Sequence, residues 1–216
     1  MKAVCLLSGG PDSAVAAAIA RNEGHEIYCL SFDYGQRGRR ELESAKKIAR
    51  FLGAREHMIV DMSSLKRIYG RGVTALTDEG MRMPERFERS VIVPFRNGIM
   101  LAVAAGYASA IGADAIFYGA QGDDARFYPD CRNEFATAME AAIRAGTGED
   151  IKVRNPLVRM KKSDVIRLGV KLGLPLEDTW SCYLGGRLHC GRCESCRNRK
   201  RAFREAGVRD PTKYSG

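Results

Sequence analysis

The chain has 216 residues, 45% of them hydrophobic and 28% charged, enough apolar material for a real core. That excludes disordered, collagenous and disulfide-scaffolded mini-protein classes. Its length suits one domain, or one with a small appendage, rather than two full domains. Thirty-five Lys and Arg against 26 Asp and Glu leave a formal charge of +9, which suits an anionic partner such as nucleic acid or nucleotide phosphate.

Residues 1–8 lack a signal-peptide layout, and no apolar stretch approaches the roughly 18 residues of a membrane span. A cytoplasmic, reducing compartment and no membrane partner are therefore expected. There the seven cysteines read as metal ligands or core residues rather than disulfides.

In chain order, short apolar strands are expected at 3–7, 26–32, 57–60 and 115–118, with helices at 13–21, 39–52 and 97–111 between them. This alternation is the pattern of βαβ units, and it predicts an α/β fold with a doubly wound parallel sheet. Residues 62–90 carry many charges and glycines without periodicity and read as a long mobile loop, the kind that serves as a lid. Further helices are expected at 133–145 and 163–172, the latter capped by Ser163. From Thr179 cysteines and basic residues dominate, so the chain divides into residues 1–178 and a tail, 179–216.

Ser8-Gly9-Gly10-Pro11-Asp12-Ser13 sits where the first strand hands over to a helix. In open α/β sheets this is where ligands bind. Two glycines let the backbone approach an anion, the serines add hydroxyls, and free N–H groups of the helix start complete a phosphate cradle. The plainer reading is a tight turn with Asp12 or Ser13 as a cap. The motif is neither Gly-x-Gly-x-x-Gly nor a Walker loop.

Cys182-x7-Cys190-x2-Cys193-x2-Cys196 places four soft ligands on the tail, a match for tetrahedral Zn(II). The rival occupant is an iron–sulfur cluster. His189 could replace one cysteine, but four suffice, and it is expected on the surface. Cys5 and Cys29 fall in apolar strands and read as core, whereas Cys131 lies in a polar loop.

Four polar loops could hold a substrate. Asp33-Tyr34-Gly35-Gln36-Arg37 leaves the second strand beside the cradle. In Val93-Pro94-Phe95-Arg96-Asn97, Arg96 could grip a carboxylate or phosphate with its planar fork, and Asn97 could equally be a helix cap. Gln121-Gly122-Asp123-Asp124 offers paired carboxylates to Mg(II). In Tyr128-Pro129-Asp130-Cys131-Arg132, a purine-like ring could stack on Tyr128 while Asp130 accepts its N–H groups. Each of these loops is also compatible with a solvated surface.

Taken in order, these motifs resemble the QueC family of the PP-loop ATP pyrophosphatase superfamily over nearly the whole chain. The resemblance implies that 7-carboxy-7-deazaguanine, ammonia and ATP give 7-cyano-7-deazaguanine by carboxylate activation and an amide intermediate, in queuosine or archaeosine precursor synthesis. It implies that Leu7, Ser8, Gly9, Gly10, Pro11, Asp12, Ser13, Ala14, Val15, Ala16 and Ala17 hold ATP, and that Cys182, Cys190, Cys193 and Cys196 bind zinc. Asp12, Ser13, Arg96 and Asp124 are the catalytic candidates, with Mg(II) near the acids. Gln36, Arg37, Arg96, Asn97, Tyr128 and Asp130 are those for the substrate. A homodimer that needs no nucleic acid is also implied.

The chain departs from the family's usual pattern at Gly38, where histidine is common, and at Gly122 and Asp123, which replace bulkier polar residues. The alternatives are a PP-loop enzyme that modifies tRNA directly, by thiolation or ligation, and a non-catalytic zinc-ribbon module that binds nucleic acid.

Overall fold

The computed structural model describes residues 1–215. Strand β1 (Lys2–Leu6) leads through helix α1 (Pro11–Asn22) to β2 (Glu26–Asp33), then through α2 (Arg40–Phe51) to β3 (Glu56–Asp61). A short helix α3 (Leu65–Tyr69) and a long helix α4 (Arg96–Ile111) precede β4 (Ala115–Phe117). Helix α5 (Asn133–Thr147), β5 (Lys152–Arg154), α6 (Lys162–Lys171) and α7 (Glu194–Ala206) complete the chain. The five strands pair in parallel in the order β3-β2-β1-β4-β5, so the doubly wound sheet expected from the alternating pattern is present.

Alternation along the strands assigns the two cores. Ala3, Cys5, Leu7, Ile27 and Cys29 face a cluster with α1, α2 and α6, which Ala202 and Phe203 of α7 join. Val4, Leu6, Leu30 and Phe32 face the opposite cluster with Leu101 and Ala104 of α4 and Ala136 and Ile143 of α5. Both faces are covered, which is why these strands read as nearly continuous apolar runs. Strand order reverses at β1, between β2 and β4, and the carboxyl edge of that junction is where such sheets open a ligand crevice.

Several expectations need correction. A fifth strand, β5, was not anticipated: it has three residues, and only Val153 is buried. Residues 62–90 are not an unstructured flap, since they contain α3 and bury Leu65, Tyr69, Ala75 and Leu76. Ser163 is not a cap but a buried residue inside α6, and the Lys161 N–H that precedes this helix donates to Asp164 at 3.1 Å. Arg89–Ile111 is long and apolar enough to cross a membrane by length and composition alone. Its continuous α-helix is only the 16 residues of α4, which buries Leu101, Ala104 and Ala108 against the sheet. This is the apolar character of a sheet-covering helix.

Gly9 has φ +83°, and a Cβ there would lie 2.1 Å from the Glu41 carbonyl oxygen. Gly9→Ala is expected to lower unfolding free energy by about 2 kcal/mol or more, measured as a lower urea midpoint with unchanged m-value.

Candidate functional site

The crevice at the β1 junction is a cavity of about 250 Å³. Its floor is the turn after β1, braced from within. Ser13 Oγ donates to the Gly10 carbonyl at 3.1 Å, accepts the Ser8 N–H at 3.1 Å and meets Ser8 Oγ at 3.0 Å. Pro11 opens α1, where its missing N–H costs nothing, and Asp12 follows in the first turn. The free N–H groups of this helix start give the positive field that suits an anion.

Of the expected nucleotide residues, Leu7, Ser8, Gly10, Pro11, Asp12 and Ser13 line the cavity. Ala14, Val15, Ala16 and Ala17 lie behind them in the core. Asp12 pairs with Lys162 through one carboxylate oxygen, while the other, Oδ1, is buried with no hydrogen-bond partner. Asp124 stands nearby, and burial, with Asp12 opposing and Lys162 favouring its charge, pushes its carboxyl up to about 7. Asp123 does not join it as a second open carboxylate, because it accepts the Lys162 N–H at 3.1 Å.

The substrate candidates separate. Gln36, Arg96 and Asn97 line the cavity, with Arg96 Nη1 donating to Tyr34 Oη at 3.1 Å. Arg37 turns away and donates to the carbonyls of Ala75, Asp78 and Met81, at 3.0 Å for the last, so it clamps the 75–81 loop. Tyr128 and Asp130 line a separate groove of about 650 Å³ beside Phe95 and Phe135. Asp130 is committed to α4, accepting the Asn97 N–H at 3.1 Å, so the cap of this helix is Asp130 rather than the side chain of Asn97. Cys131 is buried in the cavity wall, and desolvation holds its thiol well above the usual range, which makes it a poor nucleophile.

Sequence reasoning missed Glu41, Lys162, Trp180 and Ser181, all in the cavity wall. Glu41 accepts from Gln36 Nε2 at 2.9 Å, and desolvation pushes it up to about 7 despite the nearby Arg96. In sequence Glu41 looks like one more charge on a helix, and Lys162 one of a lysine pair. Gly119 allows the β4 exit to touch the turn, since a Cβ there would lie 2.6 Å from the Asp12 carbonyl. Gly38 lies against the cysteine loop, where a Cβ would lie 3.0 Å from the Cys182 carbonyl, a tight contact for any side chain. Gly122 is similarly pressed on the Val158 carbonyl, at 2.9 Å.

The Sγ atoms of Cys182, Cys190, Cys193 and Cys196 lie within 4.8 Å of one another. A tetrahedral thiolate site with metal–sulfur bonds of ~2.3 Å needs sulfurs ~3.8 Å apart, so the cluster fits a metal ion such as zinc. Cys182 accepts backbone N–H bonds from Leu184 and Cys190 at 3.4 Å each. Hydrogen bonds from the neighbouring thiols, with these, lower its value to about 4. His189 is buried rather than exposed. It lies against Trp180, ring centroids 4.1 Å apart, and accepts the Ser181 N–H at 3.1 Å.

Comparison with known proteins follows the same outline. Residues 2–207 match the family profile of the queuosine biosynthesis protein QueC. The 7-cyano-7-deazaguanine synthase of a Sulfurovum species is 46% identical over 99% of this chain and 98% of that protein. That of Methanospirillum hungatei is 44% identical over 99% and 100%. Among solved structures, a 4-thiouridine synthetase in complex with RNA and bound ATP has TM-score 0.55 at 21% identity, covering 99% of this chain and 47% of that longer one. NMN synthetase from Francisella tularensis has TM-score 0.54 at 20% identity, covering 97% and 78%. These structural likenesses establish the fold.

Two outcomes are expected. Cys193→Ser should abolish stoichiometric metal binding, read by elemental analysis, and lower the melting temperature. Glu41 and Asp124 hold their protons to higher pH in the folded chain than in the unfolded one, so their contribution to stability falls as pH rises from the ordinary carboxylate range to about 7. Glu41→Gln should flatten that fall in urea titrations between pH 5 and 8, and a parallel curve for the variant would contradict it.

Proposed function

The chain belongs to the QueC family of queuosine biosynthesis proteins, and on that premise we propose that it converts 7-carboxy-7-deazaguanine, ammonia and ATP into 7-cyano-7-deazaguanine. It is an ATP-dependent enzyme forming C–N bonds. The observation that carries the reading is the convergence of the turn after β1, Arg96, Asp124 and Lys162 on one cavity.

The chemistry explains what such a cavity must supply. A carboxylate cannot expel oxide, so one of its oxygens displaces pyrophosphate from ATP and becomes part of a leaving group. Ammonia then attacks the activated carbon, loses a proton and expels AMP to give the amide. The amide oxygen displaces pyrophosphate from a second ATP, and loss of AMP and of the two N–H protons leaves the nitrile. Each step is governed by orientation and by charge stabilisation.

Ser8–Ser13, the N–H groups at the start of α1 and Lys162 would hold the triphosphate and offset its charge. Arg96 and Gln36 orient the substrate, Arg96 through its carboxylate. Glu41, pushed up to about 7, is a cavity group able to exchange a proton at neutral pH, as deprotonation of ammonium requires. The orphaned Asp12 Oδ1 and Asp124 form a hard oxygen set suited to Mg(II), which when bound neutralises phosphate charge. The four cysteines hold Zn(II) in a closed, structural site. The protein acts in the cytoplasm as a homodimer.

The test is to incubate the purified, zinc-loaded protein with 7-carboxy-7-deazaguanine, ammonium and magnesium-ATP and to follow the base by mass spectrometry. The nitrile should appear, Asp12→Ala should abolish it, and Lys162→Met should lower kcat by about 100-fold or more. No conversion, with tRNA instead triggering ATP cleavage, would assign the chain to the tRNA-modifying alternative.

A further inference from the structure

Arg199 of α7 is the bulkiest of the almost completely buried side chains, at 1% exposure. Among the described residues no carboxylate lies within hydrogen-bonding distance, Asp210 being 3.9 Å away. Its partners are neutral: Nη1 donates to Thr179 Oγ1 at 2.9 Å and Ser181 Oγ at 3.1 Å, Nη2 to the Leu176 carbonyl at 2.7 Å, and Nε to Thr212 Oγ1 at 2.6 Å. A buried cation is expensive, and a well-packed apolar residue could hold two segments together more cheaply.

Two of the four acceptors, Thr179 and Ser181, bracket one residue. Trp180 lies between Thr179 and Ser181, and its backbone N–H donates to the Gly9 carbonyl at 2.8 Å. Its indole N–H donates to the carbonyl of Cys182 at 2.8 Å. The segment 179–182 is thus a strap with one end in the metal site and its middle on the turn that receives phosphates. Thr179 is 1% exposed, and Ser181 lines the cavity. Gly9 has no side chain of its own, so outside contacts on its carbonyl set the orientation of the neighbouring peptide groups.

We propose that Arg199 is a positioning residue for the nucleotide: through Thr179 and Ser181 it fixes the strap, and the strap fixes the Gly9 carbonyl and with it the phosphate-binding turn. This rests on the reading of that turn as the ATP site. The same guanidinium also holds Thr212 of the C-terminal segment, so the bond to the strap and the bond to that segment can be removed separately.

The test compares the two sides. Thr179→Val removes the strap hydroxyl, and Thr212→Val removes the distal one while leaving the strap intact. ATP affinity is measured by calorimetry on zinc-loaded protein, with zinc per chain, melting temperature and the kcat and KM for ATP alongside. Thr179→Val should weaken ATP binding by about fivefold or more, raising KM for ATP with little change in kcat. Its zinc content should be unchanged, Thr179→Ser should restore affinity, and Thr212→Val should lose stability without losing affinity. The one tryptophan of the chain, Trp180, should report the loosened strap as an emission shift in Thr179→Val. Equal effects of the two valine variants on ATP affinity, or none from Thr179→Val, would overturn the assignment. Should Thr179→Val not fold, Ser181→Ala is read in the same titration with the same criteria. Failure of the wild-type protein to bind ATP would overturn the functional reading instead.

Discussion

The turn after β1 is gripped from two sides by backbone, and this crowding governs the site. Gly9 abuts the Glu41 carbonyl of α2, and Gly119 at the exit of β4 abuts the carbonyl of Asp12. No side chain fits at either contact, so α2 and the β4 exit approach the start of α1 more closely than ordinary packing permits. The N-terminus of α1 is thus held between α2 and the exit of β4. A phosphate site built from backbone N–H groups gains from that rigidity, because the donors need no reordering when the anion arrives.

Around this frame the charges are paired but not exhausted. Lys162 neutralises one oxygen of Asp12 and leaves the other without a partner, while Asp124 and Glu41 carry carboxyls that burial shifts toward neutrality. Structural ion pairs on a surface are worth little and are solvated. Here the groups line a cavity, where a low dielectric strengthens each interaction and makes proton exchange near pH 7 accessible. The cost in stability is borne by the sheet and its two covered faces, whose small-residue helix α1 lets strands and helix pack closely.

Much of this was legible where a pattern is contiguous. The glycine-rich turn and the cysteine spacing each carry their chemistry within a few residues, and the apolar runs of β1 and β2 declare burial on both faces. What stayed hidden depends on long-range partners. Lys162 meets Asp12 across 150 positions, and no local signal distinguishes it from Lys161. Arg37 looks like a ligand for substrate because it follows the second strand, yet backbone carbonyls on a distant loop capture it. Strand β5 escaped because Val153 alone is buried, and one apolar residue makes no period. His189 misled in the other direction, since a polar residue amid basic neighbours looks exposed until an indole covers it.

The placement of the cysteines bears on how the protein ages. Six of the seven thiols are buried and Cys190 is half-buried, four of the seven being the metal cluster. Oxidants and alkylating reagents act on exposed thiolate, and a thiolate bound to metal or sealed in a core is protected. With the cluster filled, the chain presents almost no reactive sulfur. Emptied, it leaves Cys182, Cys190, Cys193 and Cys196 close together as thiols, where a disulfide would lock the loop out of its shape. An ion held by the cluster would therefore shield these four sulfurs from oxidation as well as join the loop to α7.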